Sequence, residues 1–185
     1  MSAQIPACLG TCATVPPLVE FDFCNPELNF GEIQKIYWTS FASAGFTDIT
    51  NILDPAWLRI DNAGSDPDVM RELDVIGSKA APESTEIELS LDRTVKGLKT
   101  HTVTFKIDDT SALNHAMIRE LECGFQLRVW YANGEGLIWG GDDGIVASIT
   151  LDEIIPETND ELITFEGTMK WKSKFSPERD VNPQA

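Results

Sequence analysis

Apolar and polar residues alternate most cleanly in the second half of the chain. Ile87, Leu89 and Leu91 alternate with Glu86, Glu88, Ser90 and Asp92, a period of two that predicts a strand with one wet, acidic face. Residues 100–107 repeat it, with Val103, Phe105 and Ile107 against Thr102, Thr104 and Lys106. Lys96-Gly97-Leu98-Lys99 lies between the two runs and is expected to turn a hairpin. Over 109–123 the period lengthens: Leu113, Met117, Ile118 and Leu121 fall at helical spacing, with Asp109 as expected N-cap and Gly124 as C-cap. Alternation then resumes in Phe125, Leu127, Val129 and Tyr131, and Ala132 to Gly136 supplies a turn into Leu137-Ile138-Trp139. Gly140 to Gly144 breaks the chain, residues 145–152 alternate again, and Pro156 to Asp160 makes a second break. The longest predicted strand runs from Leu162 to Phe175, with Ile163, Phe165, Met169, Trp171 and Phe175 on one side and Lys170, Lys172 and Lys174 on the other.

The first half is less regular. Residues 1–30 carry Pro6, Pro16, Pro17 and Pro26 without periodicity and read as an extended arm. Residues 31–41 mix β-branched and aromatic residues on both faces, which predicts a buried strand. Residues 47–58 suit a loop or one helical turn, and Asp61 to Asp68 suits a surface loop. The expected organisation is therefore an arm (1–30), one β-rich domain (31–176) and a frayed tail (177–185). Its fold class is α+β, mostly β: an antiparallel β-sandwich or barrel-like core with one flanking α-helix.

Composition narrows what such a domain does. At 185 residues, 42% of them hydrophobic, the chain has the make-up of one globular domain. Fourteen Lys and Arg against thirty Asp and Glu give a formal charge of −16, which repels phosphate backbones and anionic lipid and argues against tight nucleic-acid binding. No apolar run approaches the roughly 18 residues of a membrane helix. The N-terminus lacks the basic and apolar regions of a secretory leader, so synthesis in the cytoplasm is expected. Within residues 109–160 ten acids face only Arg119 and Arg128, a net of −8, whereas residues 161–185 are neutral with four acids and four bases. The acidic row Glu86, Glu88 and Asp92 and the basic row Lys170, Lys172 and Lys174 are of opposite sign. They suit pairing across strands or between copies; the competing reading is two solvated edges that discourage aggregation.

Catalytic motifs are missing. His101 falls on the apolar side of its strand and His115 within the helix, neither beside a Ser or Cys that would suggest a triad, and no nucleophile elbow, zinc-protease, Walker or dinucleotide motif occurs. Cys8, Cys12 and Cys24, with Cys123 or a histidine as a fourth ligand, invite a zinc reading. Their C-x3-C-x11-C spacing matches no recognised finger or ribbon, so free thiols are favoured. Asp66 and Asp68, and Asp142 and Asp143, are better read as solvated turns than as calcium ligands. No enzyme, cofactor or metal site is expected.

Helix, glycine-turn hairpin, the run Ile149-Thr150-Leu151-Asp152-Glu153, and a long strand bearing Glu161-Leu162-Ile163-Thr164-Phe165-Glu166-Gly167-Thr168-Met169-Lys170-Trp171-Lys172 together resemble the tail tube subunits of long-tailed bacteriophages and of contractile injection systems. The resemblance spans Asp109 to Phe175. It implies a virion structural protein without catalysis, six copies per ring, an inner barrel built by strands from every copy, stacked rings, and an acidic lumen for passing DNA. Expected partners are sister copies and other tail proteins such as the tape measure and terminator, with no membrane. Glu86, Glu88 and Asp92 are expected to face the lumen and Lys170, Lys172 and Lys174 to meet a neighbouring copy. The arm and the loop of residues 61–84 are expected to join rings. A terminator or adaptor on the same fold is an alternative. So is a carbohydrate- or small-ligand-binding β-domain, for which Trp38, Trp57, Trp130, Trp139 and Trp171 would supply stacking platforms.

Overall fold

The computed structural model describes residues 31–63, 66, 68–89, 93–121, 123–124, 126–158 and 160–184. Among these residues nine strands and one α-helix follow in the order β1 (Ile33–Ser40), β2 (Arg71–Lys79), β3 (Glu83–Leu89), β4 (Arg93–Ile107), α1 (Ala112–Leu121), β5 (Gln126–Asn133), β6 (Leu137–Trp139), β7 (Ile145–Ile154), β8 (Thr164–Ser173) and β9 (Arg179–Val181), with a 3-10 turn at Trp57–Arg59 between β1 and β2. Strands β1, β2, β4, β8, β7 and β5 pair antiparallel in that order, and β5 pairs back onto β1 from Asn133 opposite Ile33 to Leu127 opposite Ser40. The sheet thereby closes into a six-stranded barrel. The α+β, mostly β fold class holds, in its barrel form.

A barrel this narrow has room only for side chains. Ile36, Val103, Phe105, Val129, Phe165 and Met169 fill it, and Ile118 and Leu121 of α1 join the same core. Phe105 sits opposite Gly167, where any Cβ would overlap the Phe105 ring; the missing side chain is what lets the ring lie across β8.

Outside the barrel a second core forms. Tyr37 and Trp130 point away from the interior and are covered by Phe46, Ile49, Trp57 and Met70 from the β1–β2 connection. That connection is pinned by buried polar groups. Asp54 Oδ2 accepts the N–H groups of Thr47 and Asp48 at 2.9 Å each, and its Oδ1 accepts that of Ala56 at 2.8 Å. Burial pushes the Asp54 carboxyl up, but these N–H groups and the Arg59 charge outweigh it and hold the group below the usual carboxylate range. Asp142 ties the loop to the turn after β6, its Oδ1 accepting from Ile49 N and its carbonyl from Phe46 N, both at 2.8 Å. Trp130 Nε1 donates to Gly141 O at 2.7 Å.

Several sequence expectations are corrected. Residues 71–79, assigned above to a loop, form barrel strand β2: Leu73 and Val75 face inward, but side-chainless Gly77 and outward Ile76, 55% exposed, blur the alternation. Lys96 to Lys99 do not turn. They lie within β4, where Ser84 pairs with Lys99 but Glu86 with Lys96, so β4 carries an extra residue and Gly97 marks a bulge. β3 ends at Leu89 and β4 begins at Arg93. Ser111, not Asp109, caps α1, its carbonyl accepting from His115 N at 3.0 Å and its hydroxyl from Asn114 N at 3.5 Å. The segment after Ser176 is not frayed throughout, because Arg179–Val181 pair with β6 and Asn182 is buried. Ile163 and Phe175, expected inside, are 42% and 52% exposed.

Candidate assembly surfaces

The barrel has two distinct ends. At one, β4 reaches Ile107 opposite Phe165 and β7 reaches Ile154 opposite Thr164; here lie α1, the β1–β2 connection and the β7–β8 turn. At the other, β2 ends at Lys79 opposite Val103, and β8 ends at Ser173 opposite Lys99. Lys99 is the last β4 residue that β8 reaches, so residues 93–98 run past the barrel paired only with β3. A two-stranded hairpin thus projects from this end, and among the described residues neither the outer edge of β3 nor the far edge of β4 residues 93–98 has a partner strand.

The predicted acidic row falls on this hairpin. Glu86 and Glu88 are exposed, opposite Lys96 and Thr94 of β4; Asp92 lies outside the described residues. Lys170 and Lys172 are exposed on β8, opposite Thr102 and Thr100, and the Lys174 ammonium sits 5.6 Å from the centre of the Phe175 ring. β4 lies between β3 and β8, so Glu86 and Glu88 sit on a strand that does not pair with the strand of Lys170 and Lys172.

The remaining candidates that fall among the described residues lie apart from one another. Cys8, Cys12 and Cys24 lie outside the described residues, and Cys123 is an exposed free thiol. Among the described residues no group of three or more His, Cys, Asp or Glu is placed to hold a metal. Asp66 turns back onto Asp68 N at 2.9 Å, and Asp142 serves the loop clasp. His115 is exposed on α1. Trp38, Trp57, Trp130 and Trp171 are all at most 7% exposed, which removes them as sugar platforms; Trp139 alone is partly exposed, stacked on Tyr131 at 5.3 Å between centroids.

Sequence reading misses one cluster entirely. At the hairpin end, Lys79 of β2 and Lys99 of β4 lie close enough to repel each other, and that repulsion, after burial, lowers the Lys79 pKa. Among the described residues neither has a carboxylate within 4.0 Å; the ion pairs found join Lys35 to Glu72 and Asp74. Beneath them His101 is fully buried, both ring nitrogens shut off from solvent. Burial, then the Lys79 and Lys99 charges, hold His101 below its ordinary pKa, against a smaller pull from the Ser173 backbone. Beside the cluster a cavity of about 340 Å³ is lined by Glu32, Lys79, Tyr131, Asn133, Trp139 and Pro177, among others. Only strand register brings these residues together, so no local motif signals them.

Set against protein-family models, curated proteins and solved structures, the chain finds no significant match.

Proposed function

We propose that this chain is a tube subunit of the bacteriophage-tail type, a structural protein without catalysis that assembles into stacked hexameric rings around an acidic conduit for DNA. What carries the reading is the projecting β3–β4 hairpin. The barrel needs no strand from another copy, since β5 closes onto β1 within the chain. The hairpin is the opposite case: among the described residues it leaves the barrel with both edges open. Open edges are templates for pairing, and a ring in which β3 of one copy zips onto β4 residues 93–98 of the next leaves none over. The inner barrel expected from every copy is thereby reduced to this hairpin.

Charge supports the same reading. Glu86 and Glu88 stand exposed on the hairpin, and a chain of net charge −16 keeps phosphates off its walls rather than binding them. In this role the subunit belongs to the virion tail, with tape-measure and terminator proteins as neighbours. Among the described residues no helix is long and apolar enough to cross a membrane.

The test is electron microscopy of the concentrated protein beside a variant whose residues 86–96 are replaced by Asn-Gly, a two-residue hairpin turn. Rings or rods from the parent and separate particles from the shortened chain are expected. Monodisperse single chains from both, at every salt concentration, would overturn the proposal.

A further inference from the structure

The lysine-capped mouth at the hairpin end has an acidic, apolar counterpart on the same molecule. At the opposite end the β7–β8 turn carries exposed Ile155 and Leu162, 68% and 80% accessible, beside exposed Glu157, Asp160 and Glu161. Isolated exposed apolar residues are ordinary, but Ile154, Ile155, Leu162 and Ile163 are gathered at one turn tip and all are more than 40% accessible. The mouth supplies what the tip lacks: Tyr131, Trp139 and Pro177 as apolar walls and Lys79 in the lining, with Lys99 adjacent; Glu32 lines it too, but forms no ion pair with either lysine. Lys79 and Lys99 repel each other, and among the described residues neither has a carboxylate within 4.0 Å to offset the other. An arriving carboxylate relieves that repulsion.

We infer that the β7–β8 tip of one copy docks into the Lys79/Lys99 mouth of a second copy, apolar side chains entering the aromatic-walled cavity and Glu157, Asp160 and Glu161 facing the two lysines. Tip and mouth lie at opposite ends of the same antiparallel barrel. The contact is therefore heterologous and head to tail, and repeats without closing. This rests on the reading of the chain as a self-assembling subunit, and it assigns the contact between successive rings, whereas the hairpin edges assign the contact within a ring.

Zero-length carbodiimide crosslinking of the assembled full chain, prepared as a mixture of ordinary and 15N-labelled copies and read by mass spectrometry, identifies the carboxylates against the lysines. Mixed-isotope links from Lys79 or Lys99 to Glu157, Asp160 or Glu161 are expected. Links to Glu20, Asp22 or Glu27 instead would give the mouth to the N-terminal residues and overturn the inference.

A charge exchange gives a second readout. A mouth variant (Lys79→Glu with Lys99→Glu) and a tip variant (Glu157→Lys, Asp160→Lys and Glu161→Lys) should each lower the rod fraction about tenfold or more, while their mixture regains contact through reversed pairs. Rods of normal length from either variant would overturn the stacking contact and leave the ring reading standing. A parent chain that never assembles would overturn both.

Discussion

His101 lies flat against Trp171, the two rings 5.0 Å apart at an angle of 5°, with both imidazole nitrogens buried. The stack closes the inside of the barrel at the end where the cationic mouth opens. It gives the fold a pH dependence. Burial, Lys79 and Lys99 keep His101 neutral in the folded chain, whereas the unfolded chain titrates near the ordinary value of about 6.5. Above that value both states are neutral. As the pH falls through it, the unfolded state takes up a proton that the folded state refuses, so stability drops. Denaturant midpoints should fall between pH 7.5 and 5.5, and His101→Phe, which keeps a ring on Trp171, should flatten that fall. An unchanged slope in the variant would show that the proton goes elsewhere.

Asp54 governs a separate, more acidic window. Its folded pKa is depressed, so its contribution is complete above the ordinary carboxylate value of about 3.9 and disappears as pH falls through the folded value. Asp54→Ala leaves the Thr47, Asp48 and Ala56 N–H groups without their acceptor. A loss of about 1–3 kcal/mol is expected. The damage should centre on the outer core, and a red-shifted tryptophan emission from Trp57 and Trp130 would report it; an unshifted spectrum with unchanged stability would refute the clasp.

Gly167 tests the inner core. A methyl group there meets the Phe105 ring, so Gly167→Ala should cost about 1–3 kcal/mol by overpacking. Pairing it with Phe105→Leu, which withdraws the ring, should recover part of that loss in a double-mutant cycle. Simple additivity would mean that the two residues do not share the space.

Where the chain alternates over long stretches, in β4, β7 and β8, the fold is legible because one wet and one dry face impose a period of two. It is not legible where that rule lapses. Trp130 occupies a position that alternation assigns to water, yet it is fully buried, because the β1–β2 connection folds back over the outer face of the barrel. Strand β2 is hidden by Gly77, a residue chosen for packing beside Ile33 and Phe105 rather than for strand propensity. Barrel closure depends on Ile33 finding Asn133, a pairing no local window contains. The charged rows are visible in the sequence as rows, but that β4 separates them follows only from the strand order. The lysine mouth depends on three strands in register and has no linear signature.

The backbone edges of the hairpin allow a conservative test. Leu98, 56% exposed, lies on the part of β4 that β8 does not reach. Leu98→Pro removes one backbone N–H from this stretch and stiffens it while the β4–β8 pairs from Lys99 onward stay in place, so the variant should fold and fail to form rings. Rings of normal appearance would show that this edge is not the joint.

Native mass spectrometry of the freshly purified chain addresses self-association most directly. The account predicts a series built on multiples of 20.4 kDa, with a six-copy species among them, that collapses to a single chain when the β3–β4 hairpin is shortened. A parent protein that stays at one chain's mass at every concentration would contradict it.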